Sequence, residues 1–271
     1  MLPDGFYTST LRTFLLLSIM ITGITTIRSK DIMKNCGVVF DVDDTLYDMS
    51  IPFSGAYQAL YSGQSHLPMH NVFLSFRRYS DERFDDAQKG KMTMESFYIY
   101  RFRMTMREYG IPVTDKQALE FQRLYMNLQY RIQLTDTMKN LLDRLQNNVK
   151  IGIITNGDSV HQRRKINSLG ISHWIPKEHI IVSGDHVFHK PDARIFHEME
   201  ERLVLPAVQL IYVGDAFSLD IVGGNNAGWH TLWFNHRHRN KPNGSIIMPN
   251  IEVHSEEELS ASLLDYIKIK A

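Results

Sequence analysis

Apolar positions along the chain follow two rhythms. Five runs are short and continuous rather than alternating: residues 37–42, 149–154, 179–182, 209–213 and 231–234. Runs of this kind, rich in β-branched residues, mark strands covered on both faces, as in a parallel sheet. Between the later runs the spacing changes to that of helices. Met138, Leu141, Leu142 and Leu145 recur within residues 135–146, residues 159–169 stop at Gly170, and helical patterns follow over 192–203 and 256–267. Strand–helix alternation predicts right-handed βαβ units and an α/β, doubly wound sheet.

The alternation breaks after the first strand. Residues 49–134 carry helical periodicity and no convincing strand, with segments around Phe73–Ser80, Met92–Tyr109 and Leu119–Leu128. About 85 residues is too long for a loop, so this stretch is expected to be a helical domain set into the first crossover. Residues 33–48 and 135–271 then make the core. Residues 1–32 stand apart. The apolar run 14–27 is short of the roughly 20 residues that span a bilayer. It reads as a secretory or anchoring segment, or as an extension upstream of a start at Met33.

Composition narrows the class. The 271 residues hold 30 basic and 30 acidic side chains, and 43% are apolar. This excludes disorder and a disulfide scaffold and argues against a nucleic-acid partner. The single cysteine, Cys36, has no intramolecular mate, which fits a reducing, cytoplasmic compartment. No stable membrane span is expected, and the oligomeric state stays open.

Polar residues gather where strands end. The first run leads into Asp41-Val42-Asp43-Asp44-Thr45, the second into Thr155-Asn156, and the fourth into Gly214-Asp215 with Asp220 following. Ligands of open parallel sheets bind outside the carboxyl ends of the strands. Asp41, Asp43, Asp215 and Asp220 crowded there need a compensating cation, and oxygen donors suit Mg²⁺. Lys190 supplies a positive charge, while Thr155 and Asn156 supply donors for an anion.

These motifs resemble the haloacid dehalogenase-like (HAD) superfamily over roughly residues 37–235: Asp41-x-Asp43-x-Thr45, then Thr155, then Lys190, then Gly214-Asp215-x-x-x-x-Asp220. The resemblance implies a Rossmann-like core with strand order 5-4-1-2-3 and a helical type 1 cap. It also implies that Asp41 is a nucleophile forming an aspartyl-phosphate and that Asp43 is the general acid and base. Thr155, Asn156 and Lys190 would bind the phosphoryl group. Asp41, Asp215, Asp220 and the carbonyl of Asp43 would hold Mg²⁺. The cap would close over the crevice and select the leaving group. Superfamily dehalogenases lack an acid at the position of Asp43, so the resemblance favours a phosphatase acting on a small phosphorylated metabolite, a nucleotide or sugar phosphate. A phosphomutase and a non-catalytic protein keeping the fold are the alternatives. Leu219 departs from the family, which often has a polar residue there.

Other features keep plainer readings. Asp44, Asp48 and Asp158 read as caps or turn residues. His186 and the run His236-Arg237-His238 read as solvated loop, with His189 beside the pocket. Arg77 and Arg78 read as the basic face of an amphipathic helix. Met92, Met94, Met104 and Met106 read as core filler.

Overall fold

The computed structural model describes residues 35–61 and 67–270. The readings made for residues 1–32 therefore lie outside the described residues. Two units emerge. One comprises residues up to Val42, Thr135–Asp158 and Ser172 onward, and the other comprises Asp43–Leu134 with Ser159–Ile171.

The first unit is built on a six-stranded parallel sheet. Its strands are β1 (Gly37–Phe40), β2 (Lys150–Thr155), β3 (Ile180–Val182), β4 (Leu210–Gly214), β5 (His230–Phe234) and β6 (Ile251–Val253). The order β3-β2-β1-β4-β5-β6 contains the 5-4-1-2-3 arrangement, with β6 added beyond β5. Sequence periodicity missed β6, because it has three residues and its central Glu252 is exposed. Strand β1 is the switch point: it pairs with β2 on one side and β4 on the other, Phe40 lying in register with both Ile153 and Val213. The chain leaving β1 therefore emerges between the ends of two neighbours.

Apolar runs become strands because both faces of the sheet are covered. Val39, Ile154, Ile181 and Tyr212 pack with Ile195, Phe196 and Met199 of α7 (Ala193–Leu203). Helix α5 (Asp136–Leu145) buries the predicted stripe Met138, Leu141, Leu142 and Leu145, and the Thr135 side chain accepts from Met138 N–H at its start. Such a cap is worth about 1 kcal/mol. Asp192 caps α7 in the same way.

The second unit is helical: α1 (Ser50–Tyr61), α2 (Met69–Gln88), α3 (Met94–Glu108), α4 (Asp115–Gln129) and α6 (Ser159–Ser168). No strand occurs among its described residues. Thr93 caps α3, and Thr114 with Gln117 forms a reciprocal capping box on α4. Its interior is aromatic, with Phe53, Phe73, Phe76, Phe102 and Phe121 mutually packed. Of the four methionines read as filler, Met106 is fully buried and Met94 is exposed on the first turn of α3. Helix α6 belongs with this unit although it follows a core strand: Ser168 Oγ donates to the Ile132 carbonyl at 2.9 Å.

Candidate active site

Four of the expected residues meet at the carboxyl ends of the strands. Asp41 directly follows β1, and its N–H donates to the Val213 carbonyl at 2.9 Å. Lys190 Nζ donates to Asp41 Oδ1 and to Asp220 Oδ1, both at 2.7 Å. Lys190 is 2% exposed and Asp220 is fully buried, so neither charge could persist without the other. Burial disfavours the Lys190 ammonium, yet the carboxylates of Asp220 and Asp41 outweigh it and hold the pKa well above its usual value. Tyr212 completes the lysine's surroundings: its hydroxyl accepts from Lys190 Nζ at 2.9 Å and donates to the Ile154 carbonyl at 2.6 Å.

Asp220 sits on a π-helical turn, Phe217–Ile221, that brings its carboxylate back toward β4. Its Oδ2 accepts from Ala216 N–H at 2.9 Å. Gly214 makes room for this. A Cβ there would lie 2.3 Å from Asp220 Oδ2. Gly214→Ala is therefore expected to displace Asp220 and to cost about 1–3 kcal/mol, read as a lowered Tm together with lost activity.

Carboxylate oxygens of Asp41, Asp215 and Asp220 lie within 4.8 Å of one another, and all three residues are buried. An all-oxygen donor set of this kind fits a hard divalent cation such as Mg²⁺. Asp215 is oriented at both ends: Trp233 Nε1 donates to its carbonyl at 2.8 Å, and Arg239 Nη1 donates to Oδ2 at 3.2 Å.

Thr155 ends β2 and Asn156 follows it, in the same unit. Thr155 is buried. The Asn156 amide makes a reciprocal pair with the main chain of Lys190, donating to its carbonyl and accepting its N–H, each at 3.0 Å. This side chain thus fixes the loop that carries the lysine. His189 Nδ1 lies 2.8 Å from the same carbonyl.

Asp43 belongs to the helical unit. Lys165 Nζ reaches its two carboxylate oxygens at 2.5 and 2.7 Å, Gln162 Nε2 donates at 2.9 Å, and the Tyr47 hydroxyl donates at 2.5 Å. Desolvation pushes the Asp43 pKa up, but the charge of Lys165 and these hydrogen bonds prevail and hold it well below the usual carboxylate range. Asp44 adopts a left-handed turn conformation and accepts from Met49 N–H, and Asp48 accepts from Ser50 N–H at the start of α1, in keeping with turn and cap roles.

Tyr212, Arg239, Lys165 and Gln162 were not singled out from the sequence. Gln162 and Lys165 did carry a signal: with Ile166 they share the buried stripe of α6 at spacings of three and four.

A family model for the haloacid dehalogenase-like hydrolases matches residues 37–228. The chain belongs to this family. The HAD-hydrolase YfnB of Bacillus subtilis is 30% identical over 82% of this chain and 92% of its own length. The pyrimidine 5'-nucleotidase YjjG of Escherichia coli is 28% identical over 85% and 99%. The N-acylneuraminate-9-phosphatase of Mus musculus is 30% identical over 83% and 92%. This HAD hydrolase thus has phosphatases among its relatives. The magnesium-bound crystal structure of YfnB superposes with a TM-score of 0.63, covering 85% of this chain and 99% of that one. The L-2-haloacid dehalogenase RSc1362 superposes at 0.66 with 18% identity, a likeness of fold alone. No helix among the described residues is long and apolar enough to cross a membrane.

Proposed function

We propose that this HAD hydrolase is a Mg²⁺-dependent phosphatase that cleaves a small phosphomonoester, a nucleotide or sugar phosphate, through an aspartyl-phosphate on Asp41. The observation that carries the reading is the convergence of Asp41, Asp215 and Asp220 around Lys190 at the switch point of the sheet. When bound, Mg²⁺ would be held by these three carboxylates and by the Asp43 carbonyl, and it would offset the charge of substrate and nucleophile together.

An Asp41 carboxylate oxygen attacks phosphorus, and the bond from phosphorus to the ester oxygen breaks. The electron pair leaves on that oxygen, which takes a proton from the Asp43 carboxyl. Water then attacks phosphorus, gives its proton to Asp43, and releases inorganic phosphate as Asp41 regains its carboxylate. Lys190 holds the Asp41 carboxylate in place, and Thr155 and Asn156, at the end of β2, would supply hydrogen bonds to the phosphoryl group. Lys165 and the hydrogen bonds to Asp43 favour its ionised form and so weaken it as a base, and accepting the proton of the second step is easier once that grip loosens. The first step requires that grip to open so that Asp43 can carry a proton.

A phosphomutase would return the phosphoryl group to the substrate as an isomer instead of releasing it. The test is phosphate release from a panel of phosphorylated metabolites. Release should cease with EDTA and return with Mg²⁺; release indifferent to chelation would remove the metal from the proposal. Asp43→Asn should lower kcat on an alkyl phosphate by about 10²–10⁴-fold and on p-nitrophenyl phosphate by much less. The nitrophenolate needs little protonation to depart, so equal losses on both substrates would contradict the acid role.

A further inference from the structure

Two of the clustered carboxylates each have one oxygen taken by a cationic side chain. Lys190 Nζ donates to Asp41 Oδ1 at 2.7 Å, and Arg239 Nη1 donates to Asp215 Oδ2 at 3.2 Å. Arg239 comes from the loop after β5, directly behind the run His236-Arg237-His238, and it lies in the same unit as Asp215.

A partly exposed arginine beside a carboxylate is usually a surface ion pair of little weight. Three observations set this one apart. Asp215 is 5% exposed, so its bond with the guanidinium is made largely out of water. The main chain of the arginine is fastened on both sides by one buried side chain: Asn235 Oδ1 accepts the Arg239 N–H at 2.7 Å, and Asn235 Nδ2 donates to the Arg239 carbonyl at 2.9 Å. Asn235 is fastened in turn to β6, its N–H donating to the Val253 carbonyl at 2.8 Å and its Nδ2 to Glu252 Oε1 at 2.7 Å. The edge strand is thus the footing of the arginine, while Trp233 holds the Asp215 carbonyl. With both partners held by the protein itself, the bond restricts how the Asp215 carboxylate can turn, which is the work of a residue that orients a metal ligand.

The two common hard cations differ in what they ask of a carboxylate. Mg²⁺ demands a near-ideal octahedron and is bound through few carboxylates, whereas Ca²⁺ takes six to eight oxygens in a flexible arrangement and readily accepts both oxygens of one carboxylate. A carboxylate with one oxygen on a fixed guanidinium has the other to give. Binding a cation through both would pull Oδ2 away from Arg239. We propose that Arg239 is a positioning residue that makes Asp215 a one-oxygen ligand, and that it thereby makes the site select Mg²⁺ over Ca²⁺. The inference rests on reading Asp41, Asp215 and Asp220 as a metal site, and it adds the residue that sets the choice of metal.

The experiment is calorimetric titration of the full chain, stripped with EDTA and desalted, with MgCl₂ and separately with CaCl₂. The parent should bind Mg²⁺ more tightly than Ca²⁺. Arg239→Met keeps an apolar stem and removes the donor and the charge. Loss of the charge alters the attraction for both dications alike, and so does a general loss of stability, so the ratio of the two dissociation constants reports the mode of coordination. That ratio should shift toward Ca²⁺ by about tenfold or more. Asn235→Ala leaves the guanidinium present but unfastens its main chain. It should shift the ratio the same way by several-fold, and it stands in if Arg239→Met does not fold. A parent that binds both ions equally overturns the proposal, as does a ratio that neither substitution moves. If Mg²⁺ binds and the ratio stays fixed, the metal reading stands and Arg239 has no part in the selection. If the parent binds neither ion, the metal reading itself fails and takes the selection with it.

Discussion

Asp41→Asn is expected to abolish phosphate release, with a fall of at least about 10³-fold, while leaving the chain folded. The amide keeps the shape of the carboxylate but loses its nucleophilic charge. Lys190 retains Asp220 and the Tyr212 hydroxyl, so the buried ammonium is still partnered. Circular dichroism should match the parent, and Tm should change little beside the loss of turnover. Turnover near the parent rate would show that another group attacks phosphorus.

Lys190→Met carries the largest expected effect on stability. The lysine is buried between Asp41 and Asp220, and the carboxylates of Asp41, Asp215 and Asp220 crowd the same few ångströms. Removing one partner from a buried ion pair typically costs about 3–5 kcal/mol, because the remaining charges stay desolvated and repel. Activity should vanish as well. A divalent cation should offset part of the stability loss, since it offers the same carboxylates a new counter-charge. Mg²⁺ should therefore raise the Tm of Lys190→Met by more than it raises that of the parent. A variant as stable as the parent in EDTA would contradict the tight coupling drawn here.

The sheet and the strand-end residues were readable because continuous apolar runs can be satisfied only by burial on both faces. In such a run the first polar residue marks where the strand leaves the core. Asp41, Asp215 and Thr155 each occupy that position, and parallel pairing with a switch point at β1 draws their strand ends together. The partners supplied from helices and strand interiors were far less legible. Tyr212 lies inside an apolar run and reads as packing, although its hydroxyl bonds Lys190. Lys165 lies on a helix whose pattern shows a buried stripe, but its partner Asp43 is 122 positions away, and helical periodicity carries no information about partners at that separation. Strand β6 went unseen because an edge strand of three residues, half-buried, has no continuous run to display.

The central claim is that Asp41 bonds covalently to phosphorus. Rapid acid quenching during turnover, followed by peptide mass spectrometry, tests it most directly. The account predicts a phosphoryl group on the peptide containing Asp41, localised to that residue and absent from Asp41→Asn. Phosphate released at full rate with no phosphorylated Asp41 peptide at any quench time would contradict it.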